Sequence, residues 1–211
     1  MSDLASRLSS GLTPVSPWQV PRRLLLGFGT GLAVSIVLVL AVLGPRPDMA
    51  FAIHTPMFWA KLSYPLSLAL IGGVASERLA RPAGSARTRL SWLGLPLALV
   101  FALAVIEFVP AGPAARHAML MGGSSRVCPF LVLAASVPPL AGLIWAMRGL
   151  APTRLGAAGT VIGIAAGGAG AFAYSWHCTE AGAPFLAIWY TLGMAGAALL
   201  GFLLGPRVLR W

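Results

Sequence analysis

The feature that most constrains this chain is a set of six apolar runs, each 19 to 21 residues long. A helix needs about 20 such residues to cross about 30 Å of hydrocarbon. Only 9% of the residues are charged, whereas a soluble domain usually carries about 25%. The sequence therefore predicts an all-α polytopic membrane protein, a bundle of six transmembrane helices. The predicted spans are 24–43, 57–75, 91–109, 129–147, 155–175 and 184–204.

The first run could be misread as a cleaved secretory signal, because Arg22 and Arg23 precede it and residues 50–52 read Ala-Phe-Ala. The apolar core of such a signal is only about 7–15 residues long, however. We therefore interpret the run as an uncleaved span. The chain then divides into a cytoplasmic tail, residues 1–21, and a six-helix transmembrane domain, residues 22–211.

The basic residues set the orientation, because cytoplasmic loops of membrane proteins are enriched in Lys and Arg. With six spans, both termini share a side with the second and fourth loops. That side holds eleven arginines against three, with Lys61 set aside, so we expect both termini to be cytoplasmic. The eleven are Arg7, Arg22, Arg23, Arg78, Arg81, Arg87, Arg89, Arg148, Arg154, Arg207 and Arg210; the three are Arg46, Arg116 and Arg126. The net charge of +10 thus indicates contact with anionic membrane lipid rather than with nucleic acid.

Small residues recur every four positions in the last two spans. They are Gly159, Gly163 and Gly167, then Gly193, Ala197, Gly201 and Gly205. This spacing lets helices approach closely, either within the bundle or across a homodimer interface, and we favour packing within the bundle. Prolines at positions 65, 96, 138 and 139 predict kinks where neighbouring groups satisfy the freed carbonyls.

The tail carries Leu4, Leu8 and Leu12 along one helical face, and prolines follow from residue 14. One interpretation is a disordered leader. The other is a segment that folds on a partner by laying its leucine stripe in a groove.

Two cysteines, Cys128 and Cys178, lie at span ends on the predicted outer face. They could form a disulfide if their Cα atoms come within about 7 Å, or they could be small buried hydrophobic residues. The three histidines, His54, His117 and His177, also fall in outer loops. A thiolate and imidazole metal site is conceivable, yet no C-x-x-C or H-x-x-H spacing is present. The sequence indicates no cofactor, and transient capture of a metal by the two thiols is the simpler hypothesis.

Lys61 and Glu107 both lie near the outer ends of their spans. They could pair with each other, or each could extend toward the membrane surface. The chain shows no catalytic triad, phosphate loop or pair of close carboxylates, so we do not expect an enzyme. A membrane thiol oxidoreductase would need a relay of cysteines, and a small transporter would need more polar groups at mid-membrane; both stay as alternatives.

Several segments together resemble the negative-regulator-of-sigma-F family. In the C-terminal half these are Cys128-Pro129-Phe130, residues 151–154, His177-Cys178, Phe185, Ile188-Trp189-Tyr190 and the closing residues 204–211. At the N-terminus they are residues 4–8, 12–15 and 21–23. The resemblance covers essentially the whole chain and rests on the order and spacing of these short motifs.

The resemblance implies a six-span bacterial inner-membrane anti-sigma factor that holds an extracytoplasmic-function sigma factor inactive. It implies that the tail binds the sigma factor and that Cys128, Cys178 and the adjacent His177 sense oxidant or heavy-metal stress. The tail has one acidic residue, Asp3, so a hydrophobic contact through its three leucines, with Arg7 among them, is the expected mode of binding.

Overall fold

The computed structural model describes residues 16–81 and 84–210, which form eight helices and contain no strand. Six of these helices are long and apolar enough to cross a membrane. The predicted all-α fold with six such helices is therefore confirmed. The helices are α1 (Gln19–Val42), α2 (Met49–Ala52), α3 (Pro56–Leu79), α4 (Thr88–Phe108), α5 (Pro113–Met121), α6 (Cys128–Arg148), α7 (Leu155–Ser175) and α8 (Ala183–Val208).

Helix α1 extends into the last residues of the predicted tail. Helix α1 begins at Gln19, so the tail boundary expected at residue 21 falls inside it. Pro21 lies in the first turn, where a backbone N–H has no helical acceptor and its absence costs little. The predicted tail residues Leu4, Arg7, Leu8 and Leu12 lie outside the residues that the structure describes.

The central helix is α7, whose glycines let three neighbours approach its backbone. A Cβ added at Gly159 would overlap the carbonyl oxygen of Gly201 in α8. Gly168 lies in the same way against the backbone of α3, and Gly170 lies against Ser136 of α6. The prediction that the small residues of the last two spans pack within the bundle is therefore confirmed.

Helix α6 is interrupted at Ser136, as its two prolines predict. Pro138 and Pro139 have no N–H, so the carbonyls four residues earlier lose their helical donors. The hydroxyl of Ser35, in α1, donates a hydrogen bond of 2.7 Å to one of them, the carbonyl oxygen of Ala135. A neighbouring span thus satisfies a freed carbonyl, in agreement with the expectation.

Helix α8 starts irregularly. A helical turn, Ala183–Phe185, leads into a π-helical turn, Leu186–Tyr190, and only then into the regular helix Thr191–Val208. Turns of this type occur often at functional sites. Here the π-helical turn ends on Tyr190, whose side chain is completely buried.

We name the two ends of the bundle after the predicted orientation. The inner end carries the start of α1 and the ends of α6 and α8, and arginines join these helices. Arg23 Nε donates to the carbonyl oxygen of Ala146 at 2.9 Å, and Arg148 Nε donates to that of Val208 at 2.7 Å. The outer end carries the loop between α7 and α8, residues 176–182, which we call the outer hairpin.

Candidate functional site at the outer end

The outer hairpin contacts the outer ends of several helices. The carbonyl oxygen of Trp176 accepts a hydrogen bond from the backbone N–H of Arg46 at 3.0 Å, in the loop after α1. The N–H of Ala183, just past the hairpin, donates to the Glu107 carboxylate of α4 at 2.8 Å. The hairpin is therefore a junction at which the outer ends of several helices meet.

Lys61 of α3 anchors the centre of this junction. Its Nζ donates to the carbonyl oxygen of Cys178 at 2.8 Å and to that of Glu180 at 2.7 Å, and it lies 5.2 Å from the ring centroid of Tyr190. Only 2% of the lysine is exposed, so the side chain does not extend toward the membrane surface. Lys61 and Glu107 do not form an ion pair, because the Glu107 carboxylate binds a backbone N–H instead. Carbonyl dipoles and an aromatic face stabilise the buried ammonium.

Glu180 joins the hairpin to the segment that precedes Cys128. Its Oε1 accepts hydrogen bonds from the N–H of Gly123 at 2.7 Å and from the N–H and hydroxyl of Ser124, both at 3.1 Å. The carbonyl oxygen of Ser124 in turn accepts the N–H of Cys128 at 2.8 Å. Gly122 has a φ of +51°, and a Cβ there would overlap the Glu180 carboxylate. A glycine is therefore required for this approach.

Both predicted cysteines enter one buried cluster at this end. Cys128 and Cys178 are free thiols, 0% and 3% exposed, and the cluster also contains Tyr174 and Tyr190. The sequence-based expectation that the two cysteines lie at the same end is confirmed. Because both are buried, an external reagent reaches them only if the cluster opens.

His177, predicted beside the second cysteine, lies at the edge of this cluster. Its Nδ1 is 2.9 Å from the carbonyl oxygen of Gly44, and its ring centroid lies 5.7 Å from that of Tyr174. The ring thus connects the hairpin to the end of α1, where Gly44 adopts a φ of +80°. This contact is compatible with a role in positioning Cys178.

The conceivable five-ligand metal site is not formed within residues 16–81 and 84–210. No group of three His, Cys, Asp or Glu side chains in these ranges could hold a metal ion. His54 and His117 are exposed, away from the buried thiols. Capture of a metal by the two thiols alone stays a prediction.

An ion pair lies beside the hairpin, in the loop between α1 and α2. The guanidinium of Arg46 binds both carboxylate oxygens of Asp48 at 2.7 Å. This hydrogen bonding lowers the pKa of Asp48 below its usual value and raises that of Arg46. Arg46 also lies over the Phe58 ring, 5.7 Å from its centroid.

Sequence reasoning did not predict the contacts of Glu180 or the complete burial of Tyr190. The Tyr190 hydroxyl is one of two buried side-chain groups in the described chain that lack a hydrogen-bond partner; the other is Trp176 Nε1. Such groups are uncommon and call for an explanation. One signal pointed to Glu180: it is one of only five acidic residues in the chain and stands two positions after a cysteine.

The chain is similar to known proteins over nearly its whole length. The model of the family described as negative regulator of sigma F matches residues 8–211. The anti-sigma-F factor NrsF of Caulobacter vibrioides is 41% identical over 211 residues, 99% of this chain and 96% of that protein. The probable anti-sigma-F factor NrsF of Azospira oryzae is 38% identical over 209 residues, 99% of this chain and 98% of that protein. No solved structure matches the chain significantly.

A match that runs from residue 8 to the last residue, with two relatives similar over nearly their whole length, leaves no separate region to be explained by another family. The chain belongs to the negative regulator of sigma F family.

Proposed function

We propose that this chain is an integral membrane anti-sigma factor of the bacterial inner membrane. It sequesters an extracytoplasmic-function sigma factor through its cytoplasmic N-terminal tail. It releases that partner when Cys128 and Cys178, on the periplasmic side, sense oxidant or heavy-metal stress. The names of the two relatives support the anti-sigma role. The family is named for regulation rather than for catalysis, which disfavours the thiol oxidoreductase alternative.

The observation that carries the sensing part is the convergence of the two cysteines. They come from separate segments, the start of α6 and the outer hairpin, and enter one buried cluster. Glu180 joins those two segments, and Lys61 binds the hairpin backbone on either side of residue 179. A chemical change at either sulfur therefore acts on groups that hold several helices together.

The chemistry at the sulfurs has two forms. With hydrogen peroxide, the two thiols lose two protons and two electrons and form a disulfide, while the O–O bond breaks and the peroxide is reduced to two molecules of water. With a soft divalent metal, both thiols lose their protons and the two thiolates bind the ion. Both forms draw the start of α6 and the hairpin together and disturb the packing around Lys61.

The change at the cysteines passes to the inner end through α6, the helix that begins at Cys128. Helix α6 runs from Cys128 to the inner end, where Arg23 of α1 binds the carbonyl oxygen of Ala146. A shift of α6 would therefore change the start of α1 and the presentation of the tail before it. Release requires two states of the bundle that differ in affinity for the sigma factor.

The tail would bind its partner through Leu4, Leu8 and Leu12. A pull-down from cytoplasmic extract of the host tests this assignment, with intact protein compared with protein that lacks residues 2–15. This deletion leaves α1 whole, since α1 begins at Gln19. We expect only the intact protein to recover a sigma factor. A matched pair of full-length variants refines the test: the three leucines changed to serine, against Ser6, Ser9 and Ser10 changed to alanine.

Recovery of the sigma factor by the deleted protein would move the contact to the inner connection between α3 and α4, where the helix ends and the loop together carry Arg78, Arg81, Arg87 and Arg89. Failure of both proteins to recover a sigma factor would contradict the anti-sigma proposal itself.

The sensing part is tested with a reporter gene driven by the released sigma factor. Cys128→Ser and Cys178→Ser, singly and together, should abolish induction by peroxide and by cadmium while basal repression persists. Ser125→Ala is a control at a buried polar residue near Cys128. Normal induction in the double variant would reject the sensing role and leave the anti-sigma role intact.

A further inference from the structure

A groove of about 670 Å³ lies between α3 and α4, and Tyr64, Val100 and Leu186 separate it from the two cysteines with which they share a cluster. Its walls are formed by one face of each helix, and Leu186 of α8 contributes to its lining. Helix α4 joins the outer end through the bond between Glu107 and Ala183. The groove is therefore bounded by a helix that is fixed to the rest of the bundle.

The hydroxyl groups that line the groove are already satisfied by the protein. Ser63 Oγ donates to the carbonyl oxygen of Ala60 at 3.2 Å, and Ser67 Oγ donates to that of Tyr64 at 2.7 Å. The Tyr64 hydroxyl is 2.7 Å from Thr191 Oγ1. These walls therefore offer few hydrogen bonds to a peptide or a polar molecule, which would lose its own on entry. A hydrocarbon chain loses none.

The groove is somewhat longer than one leaflet of a bilayer is thick. Its α3 wall extends from Ala60 to Val74, which spans roughly 21 Å at the helical rise of 1.5 Å per residue. One leaflet contributes about half of the roughly 30 Å of hydrocarbon. A single acyl chain could therefore lie along the groove from one membrane surface past the bilayer centre.

A positive charge stands at the inner end of the groove. Arg89 lines it there and is exposed, and its guanidinium has no hydrogen-bond or ion-pair partner among the described residues. Trp92, one turn further, also lines the groove and is 59% exposed, as is usual for tryptophan at the headgroup level. A guanidinium binds phosphate well.

We propose that this groove is a binding site for one anionic phospholipid of the inner leaflet. One acyl chain occupies the groove between α3 and α4, and Arg89 binds the phosphate of the headgroup. The proposal does not depend on the function of the cysteines.

Native mass spectrometry of the full chain in detergent tests this site with added phosphatidylglycerol or phosphatidylcholine of identical acyl chains. We expect one phosphatidylglycerol to be retained per chain, and phosphatidylcholine to be retained more weakly. Arg89→Gln should weaken retention of phosphatidylglycerol about fivefold, as the loss of one basic contact implies. Ser67→Phe, which fills the groove, should weaken retention of both lipids.

The control is Arg207→Gln, since Arg207 is an exposed arginine at the inner end of α8 and, among the described residues, binds only a carbonyl of its own helix. It should retain lipid as the wild type does. Equal retention by wild type, Arg89→Gln and Ser67→Phe would overturn the proposal, as would equal retention of the two lipids by the wild type. Light scattering provides a further test: loss of a dimer in Ser67→Phe with unchanged lipid retention would assign the groove to a second copy of the chain.

Discussion

The two ends of the bundle are held together in different ways. At the outer end a buried lysine and two carboxylates bind backbone groups, and most of these bonds involve the outer hairpin or the residue that follows it. At the inner end Arg23 and Arg148 each join one pair of helices, independently of each other. A change in the hairpin therefore affects contacts with several helices at once. The loss of one inner arginine removes a contact between two helices only.

The difference in burial reinforces this contrast. Lys61 is 2% exposed, so its removal leaves acceptors that water reaches poorly. Arg148 is exposed and Arg23 is partly exposed, so water can replace a lost donor more readily at the inner end. A local chemical change should therefore destabilise the outer end more than the inner end.

The largest effect is expected for Lys61→Met. The change keeps much of the side-chain volume but removes both donors from the carbonyl oxygens of Cys178 and Glu180. We expect a loss of about 2 kcal/mol or more in stability and faster reaction of the cysteines with a maleimide. Thermal unfolding and labelling kinetics in detergent measure the two effects. Arg148→Met is the matched inner-end control, and an equal loss in both variants would contradict the difference between the ends.

Glu180→Ala should have the next largest effect. It removes the acceptor of three hydrogen bonds from Gly123 and Ser124, at a cost of about 1–3 kcal/mol. In a Cys178→Ser background, labelling of Cys128 should become faster because the loop before α6 is released. Glu180→Gln keeps one oxygen acceptor and should fall between wild type and alanine. Unchanged labelling in the alanine variant would show that Glu180 does not hold the Cys128 segment closed.

Arg23→Gln tests the inner end by itself. The variant loses the bond to Ala146 and the contact with the Trp145 ring, whose centroid lies 4.9 Å from the guanidinium carbon. A cost of about 1 kcal/mol is expected. The melting temperature should fall slightly, and cysteine labelling should change much less than in Lys61→Met, because the cysteine cluster keeps its own contacts. Labelling as fast as in Lys61→Met would contradict the difference between the two ends.

The spans could be predicted from the sequence alone, because the properties that indicate them lie within each run of residues. Length and apolar content alone predict a crossing helix, and the run predicted at 155–175 coincides with α7. The prolines of α6 likewise predict its interruption. Helix α1 begins at Gln19, before the apolar run that starts at residue 24, because its first turns carry polar residues that apolar content does not detect and because the first turn of a helix accepts proline.

The outer end was predictable only in part, since its contacts join residues far apart in the chain. The spacing of Cys128 and Cys178 relative to the spans indicates a shared end, but nothing in the sequence selects the carbonyl partners of Lys61. Pairing with Glu107 is the simpler expectation for two opposite charges at similar depth. The structure instead satisfies Lys61 with carbonyl oxygens of the outer hairpin and Glu107 with the backbone N–H of Ala183, the first residue of α8.

The smallest effect concerns Asp48, which is paired with Arg46 beside the hairpin. Because the ion pair lowers the pKa of Asp48, its contribution to stability is present above the usual aspartate pKa of about 3.9. It is lost as the pH falls through the lowered pKa, where the carboxylate takes up a proton. The melting temperatures of wild type and Asp48→Asn should therefore differ slightly at pH 7 and converge in acid. Labelling of the cysteines should not change, because the backbone N–H of Arg46 still binds the carbonyl oxygen of Trp176. A melting-temperature difference that grew as the pH fell would contradict this expectation. It would mean that the Asp48 carboxylate acts on a group other than Arg46.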